Sequence, residues 1–239
     1  MMLLEVEGLK KSFGSIVVAD DLDLSIATGE AVGIIGPNGA GKTSMFNLIA
    51  GGLSPSAGSI RFDGHDLAGV PPQGRCRAGM ARTHQIPQPF EKLTVFENLL
   101  VGAVYGRRRT EREATQSCGE ILERLGLLRR ANALAGSLTL LERKRLEMAR
   151  ALATAPKLLL LDEIAGGLTE GECAELVATI GDIRKSGIAI LWIEHIVNAL
   201  FAVIDRLVVL NFGRKIAEGL PKEVMQRPDV HQIYIGIEA

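Results

Sequence analysis

Ala31-Val-Gly-Ile-Ile35 runs directly into Gly36-Pro37-Asn38-Gly39-Ala40-Gly41-Lys42-Thr43-Ser44. A short apolar strand, a glycine-rich loop and a helix from Lys42 to Ala50 follow one another, and the loop matches G-x-x-x-x-G-K-[ST]. Glycines let the loop wrap a phosphate with its backbone N–H groups, while the helix aims the positive end of its dipole at the same point. Lys42 is placed to neutralise β- and γ-phosphate charge, and Thr43 offers a hydroxyl to Mg²⁺, which takes few protein ligands. Gly51-Gly52 closes the helix. In this context the loop reads as a nucleotide-phosphate cradle.

A second motif supplies the chemistry that such a cradle needs. Leu158-Leu-Leu-Leu161 ends in Asp162-Glu163, and an open α/β sheet presents its chemistry beyond the carboxyl ends of its strands. Asp162 is expected to hold Mg²⁺ through water, and Glu163 to polarise the water that attacks the γ-phosphate in line. Another apolar run, 188–193, ends in Glu194-His195; on the same rim, a neutral imidazole at His195 can contact the γ-phosphate and sense its loss.

Outward from these motifs, apolar segments at 3–7, 22–26 and 60–62 read as further strands before the helical region. From about residue 94 to 155 the spacing becomes helical, as in Ala114, Cys118, Ile121, Leu122 and Leu125, so an inserted helical sub-domain is expected over about 88–155 of one domain spanning 1–239. Thr94-Val-Phe-Glu97 and Thr139-Leu-Leu-Glu142 fit the capping box. After Pro156 the short continuous apolar runs suit parallel strands covered on both faces, joined by a helix near 172–184, and 206–218 reads as strand, tight turn, strand.

Composition narrows the class. The chain has 239 residues, 47% of them hydrophobic, and a net charge of −1 from 27 Lys+Arg against 28 Asp+Glu. That balance argues against a nucleic-acid partner, and the Arg107-Arg-Arg109 run reads as a solvated face. No apolar run approaches the roughly 20 residues of a membrane span, and the N-terminus reads as mature sequence without a signal peptide. Cys76, Cys118 and Cys173 imply neither a disulfide framework nor a zinc site.

The ordered set of Phe13, the 36–43 loop, Gln85, the 138–142 helix start, Leu158-Leu-Leu-Leu-Asp-Glu163 and His195 resembles an ATP-binding-cassette (ABC) transporter ATPase over nearly the whole chain. The resemblance implies an α/β fold, with a P-loop NTPase (RecA-like) core, an antiparallel β sub-domain and the inserted helical sub-domain. It implies that Phe13 stacks on adenine and that Gln85 contacts Mg²⁺ and the water and links to the helical sub-domain. His195 would be the switch histidine and Glu163 the catalytic carboxylate. The 138–142 helix start, including Thr139 and Glu142, would bind the γ-phosphate held by an opposite subunit.

Within the family, residues 81–100 and the tail from Gly213 to Gly236 resemble the ATPases of branched-chain amino-acid importers, with lipopolysaccharide-export ATPases as the nearest alternative. Those importers are implied to pair two different ATPases with two multi-span permease subunits and a periplasmic binding protein, at the cytoplasmic face of the inner membrane. A homodimer remains open.

Three departures stand out. The family's L-S-G-G-Q signature is Leu138-Thr-Leu-Leu-Glu142, its usual proline after the catalytic glutamate is Ile164, and the loop 165–169 has no aspartate. An intact cradle beside an altered signature suggests an asymmetric pair of ATP sites, completed by a different partner cassette. A nucleotide-gated module with little turnover and a soluble cassette acting on DNA or ribosomes are the competing readings; a single cradle without a long coiled coil disfavours the latter.

Overall fold

The computed structural model describes residues 1–107 and 110–235; Arg108 and Arg109 of the arginine run and Gly236 of the tail lie outside that range. In chain order, β1 (Met2–Phe13) and β2 (Ile16–Ala27) precede β3 (Ala31–Ile35), α1 (Lys42–Ala50), β4 (Ala57–Phe62), β5 (His65–Asp66), α2 (Pro72–Ala78) and β6 (Met80–Arg82). Helices α3 (Val95–Arg107), α4 (Glu111–Arg124) and α5 (Leu140–Ala153) follow. The remainder is β7 (Leu158–Asp162), α6 (Glu170–Lys185), β8 (Ala189–Ile193), α7 (Val197–Phe201), β9 (Arg206–Asn211), β10 (Arg214–Gly219), α8 (Pro221–Met225) and α9 (Pro228–Ile235).

Two sheets result. One is antiparallel in the order β2-β1-β4-β5, and the other runs β10-β9-β3-β8-β7-β6. In the second, β9, β3, β8, β7 and β6 are parallel and β10 is antiparallel at the edge. Every residue of β3, β7 and β8 is buried, as continuous apolar strands covered on both faces require. Alternation sorts their side chains. Val32, Ile34, Leu158, Leu160, Leu191 and Ile193 face the antiparallel sheet and α1, whereas Leu159, Leu161, Ile190 and Trp192 join a core shared with the helices.

The first two strands are longer than the apolar segments at 3–7 and 22–26. Register shifts between Val6 and Leu9 and on to Ser12 break the alternation that marks a strand in sequence. The short β6 was not legible either, since three residues carry no period.

Local sequence sets the helix boundaries. Thr139 caps α5 in a full capping box with Glu142, and Thr110–Glu113 and Thr169–Glu172 do the same for α4 and α6. Before α3, the Thr94 hydroxyl accepts the Glu97 N–H while the Glu97 carboxylate accepts that of Thr94. Each such cap is worth about 1 kcal/mol. The other end of α1 is finished from a distance: Gly51 closes it at φ 85°, and the buried Arg75 guanidinium donates to the carbonyls of Leu48 and Ile49, favourable for a cation at a helix C-terminus. The β9–β10 connection is the expected tight turn, with Phe212 and Gly213 both at positive φ, the geometry of a two-residue hairpin.

Candidate functional site

β3 lies between β8 and β9, and β8 lies beside β7. This order brings the carboxyl ends of β3, β8 and β7 together, so the loops leaving them share one rim.

The 36–43 loop is tight enough to need its glycines. Gly41, the N-cap of α1, sits at φ 98° with no side-chain cap; a Cβ there would run into the Val18 carbonyl oxygen, and one at Gly36 into that of Leu210. The neighbouring β9–β10 turn holds the loop from outside, Gly213 N–H donating to the Ala40 carbonyl at 2.9 Å. Lys42 is buried, and its ammonium bridges the carbonyls of Gly36 (2.7 Å) and Pro37 (3.0 Å). Burial pulls its pKa below the usual lysine range, with Glu163 and Asp162 acting in opposition. A cation held across the loop mouth with carboxylates beside it is poised for a polyphosphate. Thr43 is exposed and Ser44 half-buried in the first turn of α1. Phe13, about half exposed, ends β1 with the Lys11 ammonium 5.2 Å from its ring centre.

The residues expected to perform hydrolysis converge. Glu163 accepts a hydrogen bond from Gln85 Nε2 at 2.5 Å through Oε2 and meets His195 Nε2 at 2.8 Å through Oε1. Three residues far apart in sequence therefore meet at one carboxylate. Glu163 holds φ 46°, a left-handed conformation that costs a non-glycine residue about 1–3 kcal/mol and persists only where its surroundings impose it. Asp162 is 4% exposed, and its Oδ2 pairs with Arg82 at 2.7 Å. Arg82 also donates to Asn47 of α1 at 2.5 Å and covers the Phe46 ring. Sequence reasoning gave no role to Arg82 or Asn47, because their pairing joins β6, β7 and α1 only in space.

Among the described residues no group of three or more His, Cys, Asp or Glu side chains is arranged to hold a metal ion. The donor set at hand is instead the Thr43 hydroxyl, the Asp162 carboxylate and the Gln85 amide carbonyl, all hard oxygens. That set fits Mg²⁺, which keeps most of its waters, and does not fit zinc.

The 138–142 helix start is differently built. Thr139 and Glu142 spend their side chains on each other's N–H groups, and Glu142 also meets Arg130 at 3.1 Å. Leu140 is 44% exposed, and its Cδ2 lies where a Cβ on Gly167 would be in close contact. Among the described residues no hydrogen bond or ion pair joins Thr139 or Glu142 to the 36–43 loop of the same chain.

Comparisons with known proteins agree with this geometry. A family model described as "ABC transporter" matches residues 19–166. The high-affinity branched-chain amino acid transport ATP-binding protein LivG of Salmonella typhimurium is 39% identical, with 98% of each chain covered. The lipopolysaccharide export system ATP-binding protein LptB of Haemophilus influenzae is 34% identical over 99% of this chain and 98% of its own. The crystal structure of the ADP conformation of the ATP-binding cassette MJ1267 superposes with a TM-score of 0.90 at 33% identity, covering 99% of both chains. With its phosphate cradle, its sheet order and the carboxylate that meets Gln85 and His195, the chain belongs to the ABC transporter family as an ATP-binding, ATP-hydrolysing cassette.

Proposed function

We propose that this cassette powers import of branched-chain or related amino acids, docked on permease subunits at the cytoplasmic face of the membrane. The observation that carries the hydrolytic part is the meeting of Gln85 and His195 on Glu163. Glu163 accepts a proton from the water that attacks the γ-phosphate, the bond to the β-γ bridging oxygen breaks, and ADP and phosphate leave. Lys42 and the backbone of residues 36–41 take up the polyphosphate charge, Phe13 supports the base, and His195 reads whether the γ-phosphate is present. Thr43, Asp162 and Gln85 would hold Mg²⁺, which when bound neutralises charge on the β- and γ-oxygens. The amino-acid cargo rests on the likeness to LivG, and the lower identity to LptB makes an exporter the second reading.

Among the described residues no helix is long and apolar enough to cross a membrane, so permeases must supply the path. A groove of about 520 Å³ between the sheet edge and the helices is lined by His84, Gln88, Phe90, Val101, Glu147 and Arg150, beside Gln85. A permease helix seated there would pull on the loop that carries Gln85 when the cassettes close. The unit is a single cassette over 1–239, with residues 88–155 as its helical sub-domain. Its partner is a second, different cassette, a reading supported by Glu142: a carboxylate already sits at the N-terminus of α5, where a γ-phosphate from the opposite subunit would otherwise be received.

Glu163→Gln in the assembled complex tests the motor. Uptake and ATP turnover should fall at least about 100-fold with ATP binding retained; unchanged function would identify a binding-only module. Gentle extraction from native membranes should recover a second cassette and two permeases. Recovery as a homodimer with an export permease would overturn the import reading.

A further inference from the structure

Glu194 is 2% exposed, and a buried carboxylate is costly unless its oxygens are engaged. Here Oε2 accepts the Ala165 N–H at 3.0 Å and Oε1 accepts the N–H of His195 at 3.0 Å. Both donors belong to the hydrolytic site: Ala165 lies two residues beyond Glu163, and His195 carries the ring that meets it. The Glu194 N–H itself donates to the Ile34 carbonyl at 3.4 Å, on the strand that enters the phosphate loop.

The need for such an anchor is visible in the backbone. Glu163 is held at φ 46°, and a residue in that region relaxes unless both sides are fixed. Its own N–H is fixed on Ile193 O at 2.9 Å. On the other side, the N–H of Gly166 returns to Glu163 O at a long 3.4 Å, whereas the Ala165 bond ends on a charged acceptor, the stronger kind.

Two titratable groups of the helical layer feel the Glu194 charge. Lys144 of α5 is 2% exposed; burial lowers the pKa of its ammonium while Glu194 acts to raise it. From α6, burial raises the pKa of the Cys173 thiol, with Glu194 and Glu170 adding to the effect.

We propose that Glu194 is a positioning residue for ATP hydrolysis. Glu194 clamps the loop that aims Glu163 and the residue that carries the His195 ring, so one buried carboxylate sets the relation between base and switch.

The test uses the assembled complex and compares Glu194→Gln with the parent, with Glu163→Gln as the zero-turnover reference. Glu194→Gln keeps one acceptor oxygen and sets an NH₂ against the other N–H. It should lower kcat about ten-fold, with KM for ATP and the Kd of a fluorescent ADP within about two-fold of the parent. An unchanged kcat per folded Glu194→Gln complex would overturn the proposal, as would a rise in KM with kcat retained. Loss of fluorescent ADP binding in the parent would instead refute the nucleotide site itself. If Glu194→Gln fails to fold, Glu194→Asp, which withdraws the oxygens but keeps the charge, is read against the same outcomes.

Discussion

Two helix N-termini in this molecule face opposite fates. α1 begins at Gly41 with no side-chain cap, and α5 begins at Thr139 with a complete capping box. Both helices carry the same dipole and the same unpaired N–H groups. At α1 the glycine N-cap brings no side chain to the first N–H groups, leaving them for a phosphate. At α5 the Glu142 carboxylate and the Thr139 hydroxyl have already taken that place. A helix start becomes an anion site when the sequence leaves it uncapped; the same start, capped by its own carboxylate, becomes a stabilised helix end.

The contrast is broken most severely from the α1 side. Gly41→Ala adds a Cβ against the Val18 carbonyl at a left-handed φ, a strain of about 1–3 kcal/mol before the steric conflict is counted. Fluorescent nucleotide titration should show affinity reduced at least about 100-fold, a loss of about 2.7 kcal/mol or more in binding free energy. Near-parent affinity would show that the loop tolerates a side chain and that the uncapped start is not essential.

From the α5 side the contrast can be reversed. Leu140→Gly, Leu141→Gly and Glu142→Gln together should raise ATP-dependent pairing of two copies of this chain about ten-fold in a Glu163→Gln background, read by sedimentation. The same changes should cost the helix about 2 kcal/mol, roughly 1 for each glycine. No gain in pairing would mean that the capping carboxylate does not obstruct the opposite phosphate.

A gentler change separates stability from function. Thr139→Ala removes one cap and should lower unfolding free energy by about 1 kcal/mol in urea, while ADP affinity of the single chain stays at the parental value. An affinity change would place the α5 start in the chain's own nucleotide site.

The smallest effect concerns the base of β3, which supports the α1 side. Burial acts to raise the Glu30 pKa, but hydrogen bonds from Arg206 and the Ala27 N–H and the Arg206 charge bring it below the usual carboxylate value. Because the folded pKa lies below the unfolded one, this contribution is present above the unfolded pKa and lost as pH falls through the folded value. Glu30→Gln should therefore reduce the acid-side slope of Tm against pH below about 4.5 and leave Tm near neutrality lower by a few degrees at most. An unchanged slope would count against the Arg206 pairing.

What was legible in sequence was local. The 36–43 loop, the Asp162-Glu163 strand end and the boxes at Thr94 and Thr139 each lie within a few consecutive residues, where spacing translates directly into backbone geometry. The bulged strands β1 and β2 were recognised only in their apolar segments, because register shifts erase the two-residue period. Arg82, Asn47 and Arg75 carried no signal, since each meets its partners across a gap in sequence that no periodicity spans.

The sequence alone determined that a phosphate cradle and a carboxylate pair exist and that they end strands of an α/β sheet. Strand order belonged to the tertiary structure: with β8 inserted between β3 and β7, Gln85 and His195 reach Glu163, and Glu194 closes on the loop behind it. The physical reason is that a local motif fixes its own dihedral angles, whereas the partners of a buried carboxylate are chosen by whichever strands pack beside it.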